Sequence, residues 1–151
     1  KGAVTFNGVK LSKTGGQHGT DLFYADPERA QMGGSVMGVV FSAPKAKTVY
    51  VAGDTVRRPE VDQALAQHRP DVVILNTGSA LVSGFEEHPI IMGKQDTLQA
   101  TKAAPKAAIV AVHMDSVNHM SLSRKELREF VQENKIRDRV MIPEDGEVMK
   151  F

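Results

Sequence analysis

The stretch Thr48-Val49-Tyr50-Val51-Ala52-Gly53-Asp54-Thr55 constrains this chain most. A β-rich apolar run stops at a glycine, and a carboxylate follows at once. Such a run, bounded by a turn signal, reads as a buried strand. In an α/β sheet the carboxyl ends of strands are where ligands and catalytic groups gather. Asp54 would stand there, carried by a stiff strand and given room by Gly53. The competing reading is structural: Asp54 or Thr55 caps the helix that follows Pro59.

Two later apolar runs repeat the theme. Asp71–Asn76 (DVVILN) has the unbroken apolarity of a strand covered on both faces, and Ala107–Val112 (AAIVAV) ends at His113. Helical stretches separate the runs. Pro59–Gln67 turns Val61, Ala64 and Leu65 inward, and a second helix opens at Gln95 or Asp96 and ends near Ala103, before Pro105. Ser121 or Ser123 caps a third helix reaching Asn134, and Ser123-Arg124-Lys125-Glu126 fits a capping box. Upstream, Asn7-Gly8 between Val4–Phe6 and Val9–Lys13 is a hairpin signal, and Ser35–Phe41 is a further strand. Downstream, Val140–Pro143 and Val148–Phe151 flank an Asp145-Gly146 turn and read as a closing hairpin. Two long loops remain. One leaves Thr14, surrounds His18 with glycines and runs through Asp21 to Gly34; the other is Thr77–Gly93. Loops of that length in a compact domain are functional or disordered. Alternating strands and helices predict an α/β fold with a mixed β-sheet.

The totals narrow the function classes. A chain of 151 residues suits a single domain, 1–151, with a real core. With 19 basic and 18 acidic residues the formal net charge is +1, so nothing points to nucleic acid or an anionic membrane. Without cysteine, any metal must be held by His, Asp or Glu. No apolar run is long enough to span a bilayer and no signal peptide is visible, so a cytoplasmic location is expected. Lys1 stands where an initiator methionine would, which reads as a processed chain or a piece of a longer one. Gly93-Lys94 lacks the rest of a phosphate loop, Gly15-Gly16 does not follow the dinucleotide fingerprint, and Ser79, Ser83 and Ser116 lack a nucleophile elbow.

Three groups stand just past predicted strands: His18, Asp54 and His113. Two imidazoles and a carboxylate suit Zn²⁺, Mn²⁺ or Fe²⁺, and a carboxylate can bridge two ions roughly 3.5–4 Å apart. Taken singly, His18 and His113 also fit hydrogen-bonded or solvated structural histidines. His68 reads as a cation at a helix end. His88 reads as a surface residue or a cleft-lining one. His119 divides between a structural role and a substrate-facing or ligand-orienting one. Met32, Met37, Met92, Met114 and Met120 read as packing filler.

In combination these motifs resemble a known family. Thr14-Gly15-Gly16-Gln17-His18-Gly19, then Ala52-Gly53-Asp54-Thr55, then Met92-Gly93 opening a helix, then Val112-His113-Met114-Asp115 are similar to the second half of metallo-β-lactamase superfamily members. The likeness is to the broad bacterial group of β-lactamase-domain hydrolases and covers nearly the whole chain. It implies half of an αββα sandwich, a mixed sheet with helices packed on one face. It implies a two-metal site at the sheet edge, with His18 a ligand of one ion, Asp54 the bridging catalytic carboxylate and His113 a ligand of the other. Zinc is the expected metal, with manganese or iron as alternatives. An activated water would attack an ester, lactone, amide or phosphodiester of a small-molecule substrate.

The family's His-x-His-x-Asp-His cluster has no counterpart in this sequence. The chain therefore reads as the C-terminal part of such a fold, with its site empty or partly occupied and hydrolysis absent or nearly so. A half-sandwich also leaves an apolar sheet face uncovered, so self-association is expected. The competing readings are a non-catalytic interaction domain and a receiver-like module phosphorylated on Asp54.

Overall fold

The computed structural model describes residues 2–151. Seven strands form one mixed sheet whose spatial order follows the chain: β1 (Ala3–Phe6), β2 (Val9–Thr14), β3 (Gly38–Ser42), β4 (Val49–Val51), β5 (Val72–Asn76), β6 (Ala108–Val112) and β7 (Val140–Met141). The first four are antiparallel neighbours and the last four are parallel. The Asn7-Gly8 turn between β1 and β2 has both residues at positive φ, 47° and 79°, the geometry that suits a twisted two-residue hairpin.

Three helices make the crossovers between parallel strands: α3 (Pro59–His68), α4 (Lys94–Ala103) and α5 (Arg124–Glu133). Successive right-handed crossovers that all advance the same way must lay their helices on the same face. Val40, Tyr50, Val73, Ile109 and Val140 stand in one row across β3 to β7 and are buried beneath them. Val61, Ala64 and Leu65 of α3, Ala100 of α4, and Leu127 and Val131 of α5 complete that core. Arg139 pins the α4 end to β6, donating from Nη2 to the carbonyls of Ala104 (2.7 Å) and Ala107 (2.6 Å).

The opposite face carries Leu11, Val39, Phe41, Val49, Val51 and Ile74, all only half-buried, and at its edge Val4 and Phe6 are 65% and 71% exposed. The Asp71–Asn76 strand is thus covered by helices on one face alone, where its unbroken apolarity predicts cover on both.

Two expectations fail. The segment 21–34 is not a loop: it forms α1 (Asp21–Tyr24) and α2 (Pro27–Gly33). Thr20 caps the first by accepting from Phe23 N–H, and Asp26 caps the second by accepting from Arg29 N–H, with Pro27 at the first helical position. Those are sequence-readable signals, outweighed by the glycines around them. The closing hairpin is also absent. After β7 the chain turns at Asp145-Gly146, but no strand follows and Val148 is 83% exposed. Side chains of α5 hold this segment instead: Arg128 donates to the Ile142 carbonyl and Glu144, and Arg124 to the Pro143 carbonyl and Asp145. Strand limits also tighten, Ser35–Phe41 to Gly38–Ser42 and Thr48–Ala52 to Val49–Val51.

Candidate functional site

Because β4, β5 and β6 are parallel neighbours, the residues at their carboxyl ends meet along one edge of the sheet. Asp54 follows β4, Asn76 closes β5 and His113 follows β6. Asn76 Nδ2 donates to Asp54 Oδ1 at 2.6 Å, and His113 Nε2 lies 3.7 Å from the same oxygen. Both ends of the Asp54–His113 pair are open to solvent, their side chains 39% and 35% exposed. Neither Asp54 nor Thr55 caps α3; Arg58 holds that position.

Local backbone geometry aims these groups. Gly53 sits at φ 73° with the Met37 carbonyl oxygen 3.0 Å from where a Cβ would lie, so the turn before Asp54 needs glycine. His113 itself has φ 64°, an uncommon left-handed conformation for a side-chain-bearing residue. The turn is held by tight packing: a Cβ on Gly78 would meet the His113 carbonyl oxygen and Met120 Sδ, each at 2.3 Å. Strain of this kind persists where surrounding contacts over-determine it, and functional sites are where it collects.

His18 reaches the site through Thr55. The Gln17 N–H donates to Thr55 Oγ1 (2.9 Å) and the Gln17 carbonyl accepts from the Val56 N–H (2.9 Å), so the glycine-rich turn is laced to the segment carrying Asp54. Thr55 is fully buried. Burial holds the His18 imidazole below its ordinary pKa; the Asp54 carboxylate opposes this, and His113 and His119 reinforce it. His18 is therefore biased toward the neutral form a metal requires of an imidazole. His119 is exposed and is placed by backbone pairing, its carbonyl accepting from the Leu81 N–H (2.9 Å) beside the Ala80–Met120 bridge.

The donor set matches a divalent metal in kind: one carboxylate and one imidazole in contact, with a neutral imidazole nearby. It does not close a shell. Among the described residues no group of three or more His, Asp or Glu is gathered tightly enough to hold an ion by itself. These residues fit one flank of a metal centre.

The other singled-out residues divide. His88 packs on the Phe85 ring, centroids 4.8 Å apart, and His68 is half-buried at the end of α3. Met92 and Met114 are core, whereas Met32 and Met37 are 61% and 51% exposed. Asn76 is the site residue that motif reasoning misses. Its signal is a polar side chain closing an otherwise apolar strand, at the same end as Asp54 and His113.

The sheet, its one-sided helices and this edge define the metallo-β-lactamase fold, which solved proteins of remote sequence share. Within that superfamily, and over the length it spans, the chain belongs to the UPF0173 family of metal-dependent hydrolases. It is 39% identical over 148 residues to the UPF0173 protein YddR of Bacillus subtilis, a match covering 98% of this chain and 56% of that protein. It superposes on a possible metal-dependent hydrolase from Veillonella parvula with TM-score 0.93 and 48% identity, over 96% of this chain and 55% of that one. On an isothiocyanate hydrolase from Delia radicum gut bacteria the TM-score is 0.95 and the identity 45%, over 100% of this chain and 57% of that one. The chain thus spans a little over half the length of the relatives it matches. No protein-family model matches it.

Proposed function

We propose that this chain is the metal-binding C-terminal part of a metallo-β-lactamase-fold hydrolase, with His18, Asp54 and His113 as ligands of a two-ion centre. The observation that carries the reading is the meeting of Asp54 and His113, 3.7 Å apart, from the ends of parallel strands that flank β5. Divalent ions held there, zinc first and manganese or iron next, would supply a Lewis acid and acidify a water near neutral pH. Asp54 is the bridging carboxylate. Asn76 occupies one face of its Oδ1 and so fixes the rotation that aims both oxygens. His18 enters as a neutral ligand, and His119, exposed at the rim, faces the substrate. Alone, the chain supplies only one flank of the shell, so it turns over substrate slowly or not at all.

The substrate in this reading is a small neutral electrophile. The likeness to an isothiocyanate hydrolase makes an organic isothiocyanate the first compound to try, ahead of esters, lactones, amides and phosphodiesters. Isothermal titration of Zn²⁺ and Mn²⁺ tests the metal assignment. Uptake should weaken at least tenfold in both Asp54→Ala and His113→Ala; uptake untouched by either change would remove the metal site from this edge.

The open sheet face belongs to the same proposal. Half-buried Phe41, Val49 and Ile74, with exposed Val4 and Phe6 at the edge, form an apolar surface of the kind that self-associates when uncovered. A second copy packed sheet on sheet would cover it.

A further inference from the structure

Beside His18 and His119 the surface opens into an apolar cleft of about 290 Å³. Phe23 of α1 forms its floor, buried to 1% exposure, and Ile90, Leu81 and Val82 of the 77–93 segment form its wall. Met32 of α2, 61% exposed, stands at the lip, where a flexible thioether can follow the shape of an occupant. The only ionisable side chains lining it are the two imidazoles. This cleft lies on the second hydrophobic cluster, Phe23, Ala80, Ile90 and Ile91, separate from the main core under the helices.

We propose that this cleft binds the apolar substituent of the substrate, an aryl or short alkyl group, with the reacting carbon directed past His18 and His119 toward Asp54. The assignment rests on the hydrolase reading above and names its substrate class. Size supports it: a cavity of about 150 Å³ lined by Leu, Ile and Phe holds benzene, so this one has room for a phenylethyl group and too little for a lipid chain or peptide. Lining chemistry supports it as well. The wall carries no cation for a carboxylate or phosphate and no carboxylate for an amine, so a charged substituent would be desolvated without a partner. Continuity supports it third, because the charges of Asp54, His113 and His119 all act on His18, which joins the cleft to the metal-binding edge.

The test uses the full-length protein in two arms. In the first, metal is stripped with a chelator and benzyl alcohol is titrated by NMR. Saturable binding is expected, with nuclear Overhauser contacts from the ring to the Leu81, Val82 and Ile90 methyls. Val82→Phe, which fills the wall, should weaken binding at least tenfold; if that variant does not fold, the wild-type contacts decide. In the second arm, kcat/KM is compared for methyl, butyl and phenylethyl isothiocyanates. It should rise by about fourfold per buried methylene, and Val82→Phe should flatten that slope. Ring contacts absent from these methyls, or a flat slope in the wild type, overturns the cleft. Ring contacts without hydrolysis of any isothiocyanate would leave the cleft standing and remove the hydrolase reading. Hydrolysis indifferent to chain length would do the opposite.

Discussion

At the scale of single residues, the site depends on orientation more than on donor identity. Asp54 is held by two neighbours, Asn76 at 2.6 Å and His113 at 3.7 Å, on the same oxygen. Replacing Asn76 by Leu removes the amide that sets the carboxylate's rotation while keeping the volume. Divalent-metal affinity should fall about tenfold by calorimetry, with the far-ultraviolet circular dichroism unchanged. Unchanged affinity would reduce Asn76 to a bystander. Asp54, His18 and His113 were all legible as candidates, because each is a metal-capable side chain just past a strand. Asn76 was not, since an amide is a poor ligand and its importance appears only when β4 and β5 are known to be neighbours. The lacing of Gln17 to Thr55 was equally invisible: both are ordinary polar residues, 38 positions apart.

At the scale of elements, helix signals and burial behave as expected from local chemistry. In the capping box of α5, Ser123 Oγ accepts from the Glu126 N–H and the Glu126 carboxylate accepts from the Ser123 N–H and hydroxyl. Ser123→Ala should cost about 1 kcal/mol in a urea melt. The same contacts, from the Ser123 side chain first, hold the Glu126 carboxyl below its ordinary pKa. The folded state thus favours the charged form; that contribution is complete above the ordinary carboxylate pKa and fades as pH falls through the lowered one. Glu126→Gln should therefore shrink the acid-side loss of stability while leaving its neutral-pH melt closer to that of the Ser123 variant than to wild type. Tyr50 gives the opposite case. Its hydroxyl is buried with no hydrogen-bond partner among the described residues, and burial pushes the phenol pKa up. Tyr50→Phe should be neutral or stabilising by about 1 kcal/mol, read from the same denaturant midpoint. Capping predicted α5 well because it is a four-residue pattern; it was overlooked at Thr20 and Asp26 because glycine density suggested a loop.

At the scale of the whole molecule, the sheet has one finished face and one unfinished one. Helices cover the row from Val40 to Val140, while the face bearing Leu11, Phe41, Val51 and Ile74 is half-open. Sedimentation velocity should show concentration-dependent association of this chain, and a Phe6→Lys, Phe41→Glu double variant should shift it toward monomer. A wild-type monomer across the accessible concentration range would refute self-association. The antiparallel start and chain-order sheet also set aside the receiver-like reading, which needs a doubly wound parallel sheet with a switch point.

The sequence by itself determined what depends on neighbours in the chain. The alternation of apolar runs and amphipathic stretches dictated an α/β mixed sheet; Asn7-Gly8 dictated the first hairpin; the capping box dictated the start of α5. It also supplied the chemical types at the strand ends. Only the tertiary structure decided which ends adjoin, which sheet face lies bare, and how far the ligand shell closes. Periodicity and capping act over a few residues, whereas strand order, the direction of the crossovers and the Gln17–Thr55 contact join positions dozens of residues apart.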